Sequence, residues 1–166
     1  MNQQLTHSEI HRNNIRKEII LIAEELERPA NVGGLIRTSE SLGVEKIIFI
    51  SPEITALSNK MKRVSRAAEK HIQVLFKTDV IAILQHYQKQ GYRTVALELT
   101  SKSIPLPTYK IDSDKLILIC GNEKTGVSQE VLQMVQDTIN IPVYGTTSSL
   151  NVVVATGIAL NHLNTM

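Results

Sequence analysis

Three polar stretches hold the residue types from which a reactive site can be built. The first is "ERPANVGGLIRTSESLGV" (27–44), where Asn31 offers an amide at a predicted helix start and Arg37 a guanidinium further along. Asn31 is expected to cap that helix, its side-chain oxygen taking a free N–H group. Gly33 and Gly34 stand four and three residues before Arg37, so a helix puts them on its face, leaving a bare patch beside the charge. Each glycine costs a helix about 1 kcal/mol against alanine, which predicts that something approaches the backbone there. The second stretch is "LILICGNEKTGVSQEV" (116–131). Its apolar run stops at Gly121, where a ligand can come close to the main chain. Asn122 then supplies an amide, Glu123 a carboxylate, Gly126 a second flexible point and Ser128 a cap for the next helix. The third is "INIPVYGTTSSLNVVVATG" (139–157), a strand and a Thr/Ser-rich loop leading into a helix capped by Ser148 or Ser149. A cap does not account for Asn151, whose amide is costly in an apolar helix unless it finds a partner. Taken singly, the stretches also read as a loose helix start, a β-turn-α connection and a capped helix.

Several chemistries are disfavoured. The second stretch has the outline of a nucleotide site, yet neither GxGxxG nor the GxxxxGK[ST] of a phosphate loop is present. Cys120 is the single cysteine and ends an apolar run, so it reads as a small core residue rather than a thiol nucleophile or part of a cysteine zinc cage. His7 and His11 form a loose i,i+4 pair in a polar tail, and no metal site is expected. The net charge of +2 is small but unevenly spread. "NKMKRVSRAAEKH" (59–71) sets Lys60, Lys62, Arg63, Arg66 and Lys70 against Glu69 alone, and "HRNNIRK" (11–17) adds Arg12, Arg16 and Lys17. Such clusters either grip phosphate locally or form a solvated helix face.

The elements that must position these residues follow from hydrophobic pattern. Segments 18–25, 46–51, 72–76, 93–99, 116–120 and 138–143 are apolar and β-branched, several without alternation, as in strands buried on both faces of a parallel sheet. Helical patterns fall near 32–42, 61–69, 79–90, 128–136 and 149–163. The alternation predicts an α/β fold: an open, mostly parallel six-stranded sheet with helices on both faces. "TSKSIPLPTYKIDSD" (100–114) reads as a long loop. The 166 residues, 42% hydrophobic, are expected to form one domain (1–166) with a polar extension over 1–17. No run of 18 apolar residues and no signal-peptide pattern occurs, which predicts a cytoplasmic protein with no membrane contact. Ligands of such sheets sit beyond the carboxyl ends of the strands, which singles out the loops after Glu25, Leu99, Cys120 and Val143. The last helix, "LNVVVATGIAL" (150–160), is apolar on nearly every face, so it should be buried in the core or against a second copy.

Together, "NVGGLIR…SLGV", "LICGNEKTG" and "IPVYGTTSSLNVVVATGIAL" resemble the three signature motifs of the SpoU/TrmH-like branch of the SPOUT RNA methyltransferases, in order and over residues 18 to 163. "KRVSRAAEK" is similar to the same family. The resemblance implies a C-terminal trefoil knot, S-adenosylmethionine bent into it, and a homodimer with the active site assembled across the interface. It assigns Asn31, Arg37, Glu123, Ser149 and Asn151 to the catalytic set. It places the cofactor around Leu97, Gly121, Ile141 and Leu150, and it makes Lys62, Arg63 and Arg66 the RNA-phosphate contacts. Two positions depart from the family pattern: Val153 where serine is usual and Ala67 where glycine is frequent.

The reaction so implied is methyl transfer to a ribose 2′-hydroxyl. The family proposal makes Arg37 the base. A guanidinium stays protonated near neutral pH, so clamping a phosphate and stabilising developing alkoxide charge is an equally direct role. With some 17 residues before the first strand, tRNA is expected as substrate, with a D-loop guanosine in front. The tRNA wobble position and an rRNA site are the alternatives, as is an RNA- or cofactor-binding module without catalysis.

Overall fold

The computed structural model describes residues 3–4, 17–147 and 149–166. In chain order the elements are β1 (Glu18–Glu24), α1 (Pro29–Ser41), β2 (Lys46–Ile50), α2 (Asn59–Ser65), β3 (Gln73–Lys77), α3 (Val80–Gln88), β4 (Arg93–Leu97), β5 (Ile104–Pro105), β6 (Lys115–Cys120), α4 (Gln129–Met134), β7 (Asp137–Asn140) and α5 (Val152–Asn164). One sheet runs β3-β2-β1-β6-β4-β7-β5, and every neighbouring pair is parallel.

The sheet has seven strands rather than six. The extra one is Ile104–Pro105, inside the segment expected to be a loop. It pairs only with β7, at the sheet edge, where a proline without an N–H is tolerated. The strand expected over 138–143 ends at Asn140, before Pro142.

β1 and β6 are the centre of the sheet, and their continuous apolar runs are fully buried because both faces are covered. Alternate residues feed different cores. Ile19, Leu21 and Ala23 join Leu35 and Ile36 of α1 and Leu160 of α5 on one side. Ile20 and Ile22 join Leu84 of α3 and Val131 of α4 on the other. The strand order also sets the site. β4 is laid down two places from β1, and β6 later enters the gap; β5 leaves a similar gap that β7 fills. Register then puts Leu97 opposite both Cys120 and Ile139, so the chain leaves β4, β6 and β7 at one rim.

No helix among the described residues is long and apolar enough to cross a membrane. Cys120 is 2% exposed, and burial pushes its thiol up to about 12, as suits a core residue.

Candidate active site

α1 begins with Pro29 in its first turn, which tolerates a missing N–H, and Arg28 precedes it. Asn31 is therefore inside the helix and not its cap. Its amide is spent elsewhere. Nδ2 donates to Glu123 Oε1, and Oδ1 accepts from Asn151 Nδ2 at 3.2 Å. A carboxylate can only accept here, so the partners fix which way the amide points. Asn151 in turn accepts from the Val153 amide at 2.9 Å and caps α5. The cap expected at Ser148 or Ser149 is thus corrected to Asn151; Ser148 lies outside the described residues, and Ser149 is exposed. One hydrogen-bond chain joins a residue from each of the three stretches, and it answers the question that Asn151 posed.

The loop after β6 is held from several sides. Asn122 donates to the Glu25 carbonyl at 2.6 Å and pairs with Gly126 through two main-chain bonds of 3.0 Å. Glu98, just past β4, accepts from the Val127 amide at 2.9 Å. Glu24, at the end of β1, accepts from the Ser128 amide at 3.1 Å and hydroxyl at 2.8 Å. Burial raises the Glu24 carboxyl above its ordinary range despite both bonds. Ser128 caps α4 as expected. Glu24 and Glu98 are not among the expected site residues, although an acid ending an apolar strand is a signal, since a half-desolvated carboxylate needs donors.

Each of the three glycines lies where another part of the chain comes close. A Cβ on Gly33 would lie 2.5 Å from the Met61 carbonyl oxygen and 2.7 Å from Val64 Cβ, so α2 is what approaches α1. A Cβ on Gly34 would lie 3.0 Å from Val153 Cγ2, so α5 covers the patch expected to be bare. Val153, which departs from the family pattern, fills that contact. At Gly121 a Cβ would overlap the Gly126 carbonyl group and the Val127 amide nitrogen, so the loop crosses itself there closely enough to require glycine.

Arg37 is exposed, one turn beyond Gly34 along the seam between α1 and α5, and among the described residues no carboxylate pairs with it. Lys62, Arg63 and Arg66 are exposed on and just after α2, which Gly33 brings against α1. Lys17 does not join them: it is buried and donates to the Ser113 carbonyl at 3.0 Å. Arg12 and Arg16, with His7 and His11, fall outside the described residues. Among those described, no group of three His, Cys, Asp or Glu side chains is placed to hold a metal.

Ala67 accounts for one of the departures. It has φ +68° and follows Arg66 at +51°, both left-handed. That region costs an L-residue about 1–2 kcal/mol and a glycine almost nothing. Ala67 is exposed. Ala67→Gly should therefore stabilise the chain by about 1 kcal/mol, a Tm rise of roughly 2–4 °C by calorimetry. An unchanged or lower Tm would remove strain as the explanation.

The expected cofactor residues divide. Leu97, Gly121 and Ile141 lie at the ends of three adjacent strands, and Leu150 is exposed just before α5. A cavity of about 750 Å³ takes only Ile141 from this set. It lies instead along α5, between Thr38, Leu106, Val154 and Ile158. α5 buries Ala159, Leu160 and Leu163 but leaves Val154 52% and Ile158 42% exposed, so within one chain it is covered on one side only. Around the strand-end rim, Leu99, Val143, Tyr144 and Leu150 are also exposed. This rim, with main chain at three strand ends and apolar side chains about it, suits a nucleoside bound mostly by backbone groups.

The chain is similar to known proteins in sequence and in fold. A tRNA (guanosine(18)-2′-O)-methyltransferase of Aquifex aeolicus is 29% identical over 149 residues, 87% of this chain and 68% of that one. A structure described as an AdoMet-bound rRNA methyltransferase from Sinorhizobium meliloti superposes with a TM-score of 0.79 at 25% identity, covering 87% of this chain and 55% of that one. A structure concerned with 2′-OH methylation of C/U34 on tRNA superposes with a TM-score of 0.76 at 26% identity, covering 91% of this chain and 99% of that one. The chain spans 57% to 61% of the length of several curated relatives it matches. The model of the SpoU rRNA methylase family matches residues 18–161, and the chain belongs to that family.

Proposed function

We propose that the protein transfers a methyl group from S-adenosylmethionine to a ribose 2′-hydroxyl of RNA. The observation that carries this reading is the hydrogen-bond chain Asn151–Asn31–Glu123, which draws three distant motifs into one site beside the strand-end rim. Main chain near Leu97, Gly121, Ile141 and Leu150 would hold S-adenosylmethionine, which would supply the activated methyl group. Arg37 clamps the phosphate next to the target ribose and stabilises the charge that develops on the 2′-oxygen as the hydroxyl proton passes to solvent water. Glu123, Asn31 and Asn151 hold the loops around that oxygen in place, and Ser149 stands two residues before Asn151 in the loop that enters α5. Positioning would dominate, because these residues would have to hold the ribose hydroxyl in a near-attack arrangement with the bound donor.

A tRNA is the proposed substrate, with a D-loop guanosine as target. The similarity to the guanosine-18 enzyme supports it. The wobble nucleotide is the second reading, favoured by the end-to-end match to the structure concerned with C/U34. Mapping 2′-O-methyl marks in total RNA with and without the gene decides between them. Loss of a mark from rRNA alone would overturn both, and no loss at all, with no transfer from labelled methyl donor in vitro, would leave a binding module.

Lys62, Arg63 and Arg66 are the proposed phosphate contacts. Neutralising each should flatten the dependence of log affinity on log salt by roughly 0.7–0.9. An unchanged slope in filter binding at several salt concentrations would return them to a solvated face. The uncovered side of α5 supports a homodimer. Ile158→Asp should then halve the mass seen by light scattering, and an unaltered mass would place the subunit contact elsewhere.

A further inference from the structure

We infer that Glu98 is a positioning residue for the methyl donor, tying together two of the three loops that form its proposed pocket. The inference rests on the reading that the donor binds at the strand-end rim. Glu98 directly follows Leu97, the last residue of β4. Its Oε2 accepts from the Val127 amide at 2.9 Å, and its Oε1 accepts from the Leu99 amide at 2.9 Å. One carboxylate thus fixes the first turn of the loop leaving β4 and the far end of the loop leaving β6. It also lies directly against Gly126: a Cβ there would run into Oε2, and Gly126 has φ +71°. Gly126 is in turn the residue across which Gly121 makes its crossing, and it bonds Asn122 in both directions. The path from Glu98 to the main chain of Gly121 is therefore one residue deep.

The chemistry suits a fixed brace. The described residues give Glu98 no cationic partner, so its charge is satisfied by amide N–H groups. Such charge-assisted bonds are stronger than neutral ones. An amide side chain in its place keeps one acceptor oxygen and brings a donor that the other N–H group cannot use. Glutamine should then preserve one of the two contacts, and alanine neither. The pair Glu24–Ser128 braces the same loop from β1, but at the start of α4, farther from Gly121 along the chain.

The test compares wild type, Glu98→Gln and Glu98→Ala by titration calorimetry with S-adenosylmethionine, by RNA binding, and by thermal unfolding. Glu98→Ala should weaken donor binding roughly tenfold or more and Glu98→Gln by less, with RNA affinity within about twofold of wild type. Hydrogen exchange at the Val127 amide should quicken in the alanine variant and less in the glutamine one. Donor affinity equal to wild type in both variants overturns the inference. So does a parallel loss of donor affinity, RNA affinity and Tm, which would mark Glu98 as a general stabiliser. If wild type itself binds no S-adenosylmethionine, the proposed function fails instead, and the two failures are distinct.

Discussion

Arg37→Lys should lower methyl transfer to RNA by about 10²–10³-fold while leaving S-adenosylmethionine binding within about twofold of wild type. Arg37 is exposed beside the α1–α5 seam and pairs with no described carboxylate, so its removal costs the fold little. What it offers is a planar fork that can hold two phosphate oxygens, or a phosphate and the reacting 2′-oxygen, at once. Lysine keeps the charge and loses the fork. A single missing donor aimed at developing negative charge costs an enzyme about 2.7–4 kcal/mol, which is the loss stated above. Single-turnover rates at saturating RNA and methyl donor measure it directly. Near-normal turnover by the lysine variant would exclude any role specific to guanidinium and leave only a diffuse positive charge. Loss of donor binding in step with activity would place Arg37 in the cofactor pocket instead.

Much of the scaffold was legible because burial on both faces imprints continuous apolar runs. Glu18–Glu24 and Lys115–Cys120 are such runs, and both are central strands. Their order was not legible, because nothing local in β6 says that it will enter between β1 and β4. The two-residue strand Ile104–Pro105 has too little sequence to carry any period, and it pairs only because β7 comes beside it.

The site shows the same division. Asn31, Glu123 and Asn151 were singled out by residue type and by likeness to the family motifs, and the structure joins them. Their local roles were misread wherever a local rule had a long-range rival. Asn31 has the chemistry of a helix cap, but Pro29 starts the helix two residues earlier and Glu123 takes the amide. Gly33 and Gly34 have the look of a ligand contact, but the close neighbours are Met61, Val64 and Val153. A glycine reports that something is near; the sequence does not say whether that something is a ligand or the chain itself.

That ambiguity is sharpest at Gly121, where replacement should have the largest structural effect. In Gly121→Ala the new methyl group would occupy the space of the Gly126 carbonyl group and the Val127 amide. All the atoms met are main chain, so no side-chain rotation can relieve the overlap, and the loop must open. Opening it stretches the paired Asn122–Gly126 bonds and the Glu98 bond to Val127, each about 3 Å long in the native loop. Overpacking alone costs typically 1–3 kcal/mol, and each main-chain bond lost in a half-buried loop adds about 1 kcal/mol. The sum is about 3–5 kcal/mol, a large share of the stability of an ordinary domain. The variant should therefore be poorly soluble or melt roughly 10 °C or more below wild type, and any folded fraction should bind S-adenosylmethionine at least tenfold more weakly. Cys120→Ala is the control, one residue back along the same strand, because it removes volume where Gly121→Ala adds it. It should lower Tm moderately and leave donor affinity near that of wild type. If Gly121→Ala keeps wild-type Tm but loses donor binding, the glycine serves the ligand after all, and the crossing with Gly126 is looser than the geometry indicates. If it keeps both, neither the crossing nor a ligand requires glycine at this position.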